Sequence, residues 1–141
     1  YLQREVTLAP DETTSSLQAK LTPIGAQLLL ETIRRLKDGS LEPQAQNEAD
    51  ASFAPIIKKE DGLIDWNQPA TMIERRVRGF DPWPGAYSHI GGKLLKIQRA
   101  KVVTANTKGG PGEIMRADAG GLWVATSSNF LGLEEVQLEN R

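Results

Sequence analysis

Ala86-Tyr87-Ser88-His89-Ile90-Gly91-Gly92-Lys93-Leu94-Leu95-Lys96-Ile97-Gln98-Arg99-Ala100-Lys101-Val102-Val103-Thr104 decides the fold. Two β-prone runs flank a Gly-Gly pair, the two-residue loop that closes a tight hairpin, so strands are expected at Ala86–Ile90 and Lys93–Thr104. Within the longer run the apolar phase shifts from Leu95 and Ile97 to Ala100 and Val102. Strand side chains alternate strictly, so a phase shift inside one strand predicts a bulge. Downstream, Gly112–Ala117 and Leu122–Thr126 flank a second glycine pair, Gly120-Gly121, and Leu131–Leu138 closes the series. Upstream, Leu63-Ile64-Asp65-Trp66 reads as a short strand. Asn67 is placed to cap a short helix through Pro69, Ala70, Ile73 and Val77, ending at Gly79. The chain is therefore expected to be mainly β with helices. Five short strands, glycine turns and one inserted helix describe a small, partly open barrel of the OB type.

The first third is different. Leu2-Gln3-Arg4-Glu5-Val6-Thr7-Leu8 alternates apolar and polar residues, as a half-buried strand does. Thr13, Thr14, Ser15 and Ser16 offer capping oxygens, and Leu17, Leu21, Ile24, Leu28, Ile33 and Leu36 then lay one apolar stripe along a helix. Pro23 within that stripe predicts a kink, or two helices meeting near Thr22. Arg34, Arg35 and Lys37 suit the negative end of the helix dipole, and Gly39 suits the position after the last turn. Nothing else in the chain is large enough to cover this helix, which reads as the edge of a further domain. The chain opens on Tyr1 rather than Met, so it is expected to be a piece of something longer. From Ser40 to Ile57 the composition is that of a linker.

Composition narrows the function. With glycine counted, the apolar share is about 47%, within the range of ordinary globular chains. No apolar run reaches the roughly 20 residues of a membrane helix. With no cysteine and only His89, thiol chemistry, Cys/His zinc sites and serine triads are poorly supported, and no metal is expected. The 17 basic and 18 acidic side chains nearly cancel, yet they are unevenly placed: the net is −3 over residues 1–50, +4 over 51–101 and −2 over 102–141. A basic middle suits a polyanion, although charges this sparse more often solvate a surface.

No motif assembles an active site. Gly109-Gly110-Pro111-Gly112 lacks the Lys-Ser/Thr and the strand-to-helix setting of a phosphate loop, so it reads as a turn. Asp65 beside Trp66 could be a carboxylate with a raised pKa, but an aspartate accepting local hydrogen bonds is the commoner case. His89, at a hairpin end, reads as a surface residue. Glu74-Arg75-Arg76-Val77-Arg78 is more informative. With Ile73 and Val77 inward, Arg75 and Arg78 share one flank of the short helix and Arg76 stands off it. Guanidinium groups fork onto phosphate, so these arginines beside Lys58-Lys59 make a plausible RNA-backbone contact. Phe80, Trp83 and Tyr87 are expected to pack rather than to stack on bases.

Three blocks carry a resemblance: Ile24-Gly25-Ala26-Gln27-Leu28-Leu29-Leu30-Glu31-Thr32-Ile33, Phe53-Ala54-Pro55-Ile56-Ile57-Lys58-Lys59-Glu60-Asp61-Gly62-Leu63-Ile64-Asp65-Trp66, and Arg75-Arg76-Val77-Arg78-Gly79-Phe80-Asp81-Pro82-Trp83-Pro84-Gly85-Ala86-Tyr87. With Gly110-Pro111-Gly112-Glu113-Ile114 and Leu133-Glu134-Glu135-Val136-Gln137, they closely resemble the methionyl-tRNA formyltransferase family along essentially the whole chain. That resemblance implies transfer of a formyl group from 10-formyltetrahydrofolate to methionine on initiator tRNA, at the start of translation. It implies the tail of a Rossmann-like catalytic domain at 1–39 (a strand-helix remnant), a linker at 40–61 and an OB-like tRNA-binding barrel at 62–141. The family's catalytic residues and folate pocket then precede Tyr1, so no catalytic or cofactor-binding residue is expected here. Lys59 corresponds to a family lysine near bound tRNA. Lys58, Arg75, Arg76 and Arg78 are carried over with it as tRNA contacts. The partner implied is initiator methionyl-tRNA, the parent a monomeric enzyme of the bacterial cytoplasm, with an organelle the other setting.

Two other readings stand beside it. One is the barrel of a related formyl-handling enzyme, such as 10-formyltetrahydrofolate dehydrogenase or a nucleotide-sugar formyltransferase. The other is a free-standing OB module that binds protein, which the orphan strand and helix at 1–39 disfavour.

Overall fold

The computed structural model describes residues 1–105 and 109–139, in two compact units, 1–56 and 57–141. The first unit is built on one helix, α1 (Thr14–Lys37). Its start is a reciprocal cap: the Ser16 amide donates to Thr13 Oγ1 at 3.2 Å and the Thr13 amide to Ser16 Oγ at 3.0 Å. Glu12 accepts from Lys20 Nζ at 2.6 Å and from the Ser16 hydroxyl, and these bonds hold its carboxyl at a pKa of about 2. At the other end Gly39 takes a φ of +75°. The Ser40 amide then reaches the Arg35 carbonyl and the Gly39 amide the Leu36 carbonyl, which satisfies two of the last carbonyls as anticipated from Gly39.

One expectation for this unit fails, and one of the two alternatives at Pro23 falls away. Leu2–Leu8 joins no sheet among the described residues. Alternation permits a strand, but a strand exists only with a neighbouring backbone to pair with. Pro23 does not divide the helix in two. It removes a single donor from a helix of 24 residues, and the flanking turns hold, with the Thr22 hydroxyl donating to the Gln18 carbonyl at 2.7 Å. The apolar stripe is open: no residue of α1 is buried, and Leu29 is 60% exposed.

The second unit is an antiparallel five-stranded sheet with one packed helix. Its strands are β1 (Ala86–Ile90), β2 (Lys93–Val103), β3 (Ile114–Asp118), β4 (Gly121–Ala125) and β5 (Phe130–Leu138), in the order β1-β2-β5-β4-β3. Gly91 and Gly92 both have positive φ, as the tight hairpin between β1 and β2 demands. Between β2 and β5 the register slips at Ile97/Arg99 and Arg99/Ala100, the bulge expected from the phase shift. It lets Leu95 and Ile97 before the slip, and Ala100 after it, all pack with the core.

Helix α2 (Ala70–Gly79) buries Ala70, Ile73 and Val77 on that core, with Leu131 and Leu133 of β5 and Val124 of β4 among its members. The sequence reading misplaces the start of this helix. Pro69, not Asn67, is the cap residue. The orphan Ala70 amide is met instead by the Ser128 carbonyl, 3.1 Å away in the β4–β5 turn. That turn is held in turn by buried Thr126, whose hydroxyl donates to the carbonyls of Ser128 and Asn129. Leu63–Trp66 is likewise no strand. Leu63 makes a single parallel bridge to Tyr87, after which Ile64 turns into the core and Trp66 donates to Ser88 Oγ at 3.0 Å.

Candidate nucleic-acid interface

Lys59 begins a 3₁₀ turn, Lys59–Gly62, and Lys58 precedes it. The Lys58 amide donates to Asp61 Oδ2 at 2.7 Å, which winds the turn on itself. Two contacts then seat this turn against the rest of the unit. Arg76 of α2 donates from Nη2 to the Asp61 carbonyl at 2.9 Å. Gly62 is buried against the Gly85 carbonyl oxygen and the Tyr87 ring, so closely that a Cβ would collide with that oxygen. Glycine is required here by space rather than by backbone conformation. Of the residues expected to form the cluster, the structure ties one to the turn directly: Arg76, through the Asp61 carbonyl, while Lys58 and Lys59 lie at the start of the turn and Arg75 and Arg78 on the same helix as Arg76.

The three arginines are not equivalent. Arg78 forks onto Glu74 one turn back, Nε to Oε1 at 2.5 Å and Nη2 to Oε2 at 3.2 Å, with both side chains half-buried. Arg76 is committed to Asp61 and lies over the Phe80 ring, 5.3 Å from its centroid. Arg75 and Lys59 are exposed, with no side-chain partner among the described residues. These two can reach an outside phosphate at no cost in internal contacts.

Asp65 behaves as local scaffold. Its carboxylate accepts from the side chains of Asn67 and Gln68 and from the Asn67 amide, which lowers its pKa below the ordinary value. A proton-donating role at neutral pH is thereby removed. His89 is exposed and meets the Tyr87 ring edge-on at 5.9 Å. Gly110 to Glu113 form a turn, closed by the Glu113 amide on the Gly110 carbonyl.

One aromatic departs from expectation. Phe80 and Tyr87 are half-buried, but Trp83 is 58% exposed. Pro82 and Pro84 remove both neighbouring amides from any ladder, and the loop instead closes on itself through the Gly85 amide and the Phe80 carbonyl. The signal for this lies in Pro82-Trp83-Pro84-Gly85: a tryptophan between two prolines cannot be aimed inward by strand or helix periodicity. Lys93 and Lys96 on β2 are exposed as well and belong to the basic middle, although the sequence does not assign them to the site.

The geometry defines a β-sheet module with a positively charged turn-and-helix corner. The chain belongs to the formyl transferase C-terminal domain family, which matches residues 56–141. It is 46% identical over 140 residues to the methionyl-tRNA formyltransferase of Citrifermentans bemidjiense and 44% identical to that of Geobacter metallireducens, covering 99% of this chain in each case. It spans less than half of those relatives, 43% and 44% of their lengths. Among solved structures, HypX from Aquifex aeolicus in complex with tetrahydrofolic acid shares the fold, with a TM-score of 0.64 at 22% identity over 95% of this chain and 24% of that one.

The Gly62 contact yields a prediction. Gly62→Ala should push the Lys59 turn off the Gly85 carbonyl and lower stability by about 1–3 kcal/mol, the range for overpacking a tight site. Gly79→Ala, where a Cβ meets nothing within 4 Å, should leave stability within about 0.5 kcal/mol. Denaturant titration of both variants decides it, and equal midpoints for the two would remove the steric role given to Gly62.

Proposed function

We propose that this chain is the C-terminal, tRNA-holding part of a methionyl-tRNA formyltransferase. The parent moves a formyl group from 10-formyltetrahydrofolate to the amino group of methionine on initiator tRNA, in the bacterial cytoplasm and as a monomer. Residues 1–39 are the tail of its catalytic domain, 40–61 the linker and 62–141 the OB-like module. The observation that carries the reading is the seating of the Lys59 turn on α2 through Arg76 and Asp61, which sets exposed Lys59 beside the helix of exposed Arg75. Relatives named methionyl-tRNA formyltransferase at 44–46% identity support it over the other formyl-handling readings. No helix among the described residues is long and apolar enough to cross a membrane.

In this reading the formyl donor binds outside this corner. The cleft between the Asp61 turn, α2 and Ala86 has a volume of about 10 Å³, room for a single water and not for a pterin ring. The chemistry of transfer is assigned to the rest of the parent. What this unit supplies is orientation. Holding the RNA by its phosphates converts part of the entropy of encounter into a fixed approach of the amino group to the donor. Lys59 and Arg75 act as the anchoring charges, with Lys58 beside them, while Arg76 and Arg78 keep the helix and turn in place.

Binding of an unmodified initiator-tRNA transcript to the full-length protein tests this. Affinity should fall steeply as salt rises from about 50 to about 200 mM, because each phosphate contact releases counterions. Affinity independent of salt would remove the electrostatic anchoring.

A further inference from the structure

We propose that Trp83 is a stacking platform for an unpaired base of the RNA whose backbone Lys59 and Arg75 hold, an inference that rests on the tRNA-holding reading above. The three tryptophans of the chain are used differently. Trp66 lies against the core and donates to Ser88 Oγ, and Trp123 is half-buried beneath the Arg116 guanidinium, 4.9 Å from its ring centroid. Trp83 alone is mostly exposed, with no hydrogen bond or ring contact among the described residues. Among the described phenylalanines, tyrosines and tryptophans of the second unit only Trp83 is exposed, and tryptophan is enriched where binding energy concentrates.

Its position says what covers it. The Phe80–Gly85 loop that carries Trp83 is tied to the cationic corner at both ends. At the first, Arg76 lies over Phe80. At the second, the Gly85 carbonyl packs on Gly62, the last residue of the Lys59 turn. The loop contains one acid, Asp81, and the turn and helix it touches carry Lys58, Lys59, Arg75, Arg76 and Arg78 against Glu60, Asp61 and Glu74; of these cations Lys59 and Arg75 have no side-chain partner among the described residues. An exposed aromatic face beside unpaired cations is complementary to a single-stranded nucleotide, whose base offers a π-face and whose phosphate offers the charge. A protein partner matched to Trp83 alone would leave those cations unanswered.

The experiment measures dissociation constants of the full-length protein for two RNAs: the initiator-tRNA transcript, and a fully paired RNA hairpin with a tight tetraloop. Trp83→Ala is expected to weaken the tRNA about tenfold or more while keeping the salt slope, since stacking releases few counterions. Trp83→Phe should keep most of the affinity and Trp83→Leu should lose as much as alanine. That pair decides the matter even if the alanine variant folds poorly, because leucine keeps apolar bulk and lacks the π-face. The hairpin should be bound alike by all variants. Leucine binding as tightly as phenylalanine, or equal losses on both RNAs, overturns the stacking role. Loss of salt dependence in the unmodified protein would instead overturn the tRNA-holding reading, so the two failures are distinguishable.

Discussion

Replacing Lys59 and Arg75 together by alanine in the full-length protein is expected to weaken tRNA binding roughly a hundredfold near 100 mM salt. Hydrogen bonds to charged groups contribute about 1.5–3 kcal/mol each, about tenfold or more apiece. The log–log salt slope should shrink by about two, one for each phosphate that is no longer neutralised. These two cations are chosen because neither has a side-chain partner among the described residues, so their removal unpairs nothing inside the fold. Arg76→Ala would be a poorer test, since it also withdraws the bond to the Asp61 carbonyl and the cover over Phe80. Steady-state kinetics should show a raised KM for tRNA with an unchanged KM for the formyl donor, which the proposed reading places elsewhere in the parent. Unaltered tRNA kinetics in the double variant would sink the assignment of this corner.

Leu131→Ala carries the largest expected loss of stability. Leu131 is fully buried in β5, paired with Val102 of β2 on one side and Val124 of β4 on the other. Truncating a leucine at such a centre removes its transfer energy and leaves a cavity, together about 3–5 kcal/mol. For a unit this small each kcal/mol moves the melting temperature by about 4–8 °C, so a fall of more than about 10 °C is expected. Leu29→Ala on the open face of α1 provides the contrast, with an expected change within about 0.5 kcal/mol. A melting temperature for Leu131→Ala within about 3 °C of the parent would contradict the packing described for β5.

The parts legible in the sequence are those set by neighbours along the chain. The β1–β2 hairpin follows from Gly91-Gly92, the bulge from the change of phase after Ile97, and the end of α1 from Gly39. The misreadings share one cause. Leu2–Leu8 has the alternation of a strand and no backbone to pair with. Asn67 has the chemistry of a cap, but it spends its side chain on Asp65 while Ser128, some sixty positions away, meets the helix amide. Hydrophobicity alone would bury Trp83, whereas its two prolines decide its exposure.

The candidate site divides in the same way. Its residue types and their concentration between positions 51 and 101 can be read directly, because charge and spacing are properties of the chain. Which arginine stays open cannot. Arg75 and Arg78 look alike on a helical wheel, yet Glu74 takes Arg78 and the Asp61 carbonyl takes Arg76. A long flexible cation adopts whichever partner the fold brings across from it, and that partner can lie far away in sequence. The sequence by itself thus determined the five strands, the two helices, the concentration of basic residues between 51 and 101 and the family. The tertiary structure decided the strand order β1-β2-β5-β4-β3, the seating of Gly62 on Gly85, and the exposure of Lys59, Arg75 and Trp83. Backbone turns and periodicity are local energies, while sheet order, close packing and ion pairing arise only when distant segments meet.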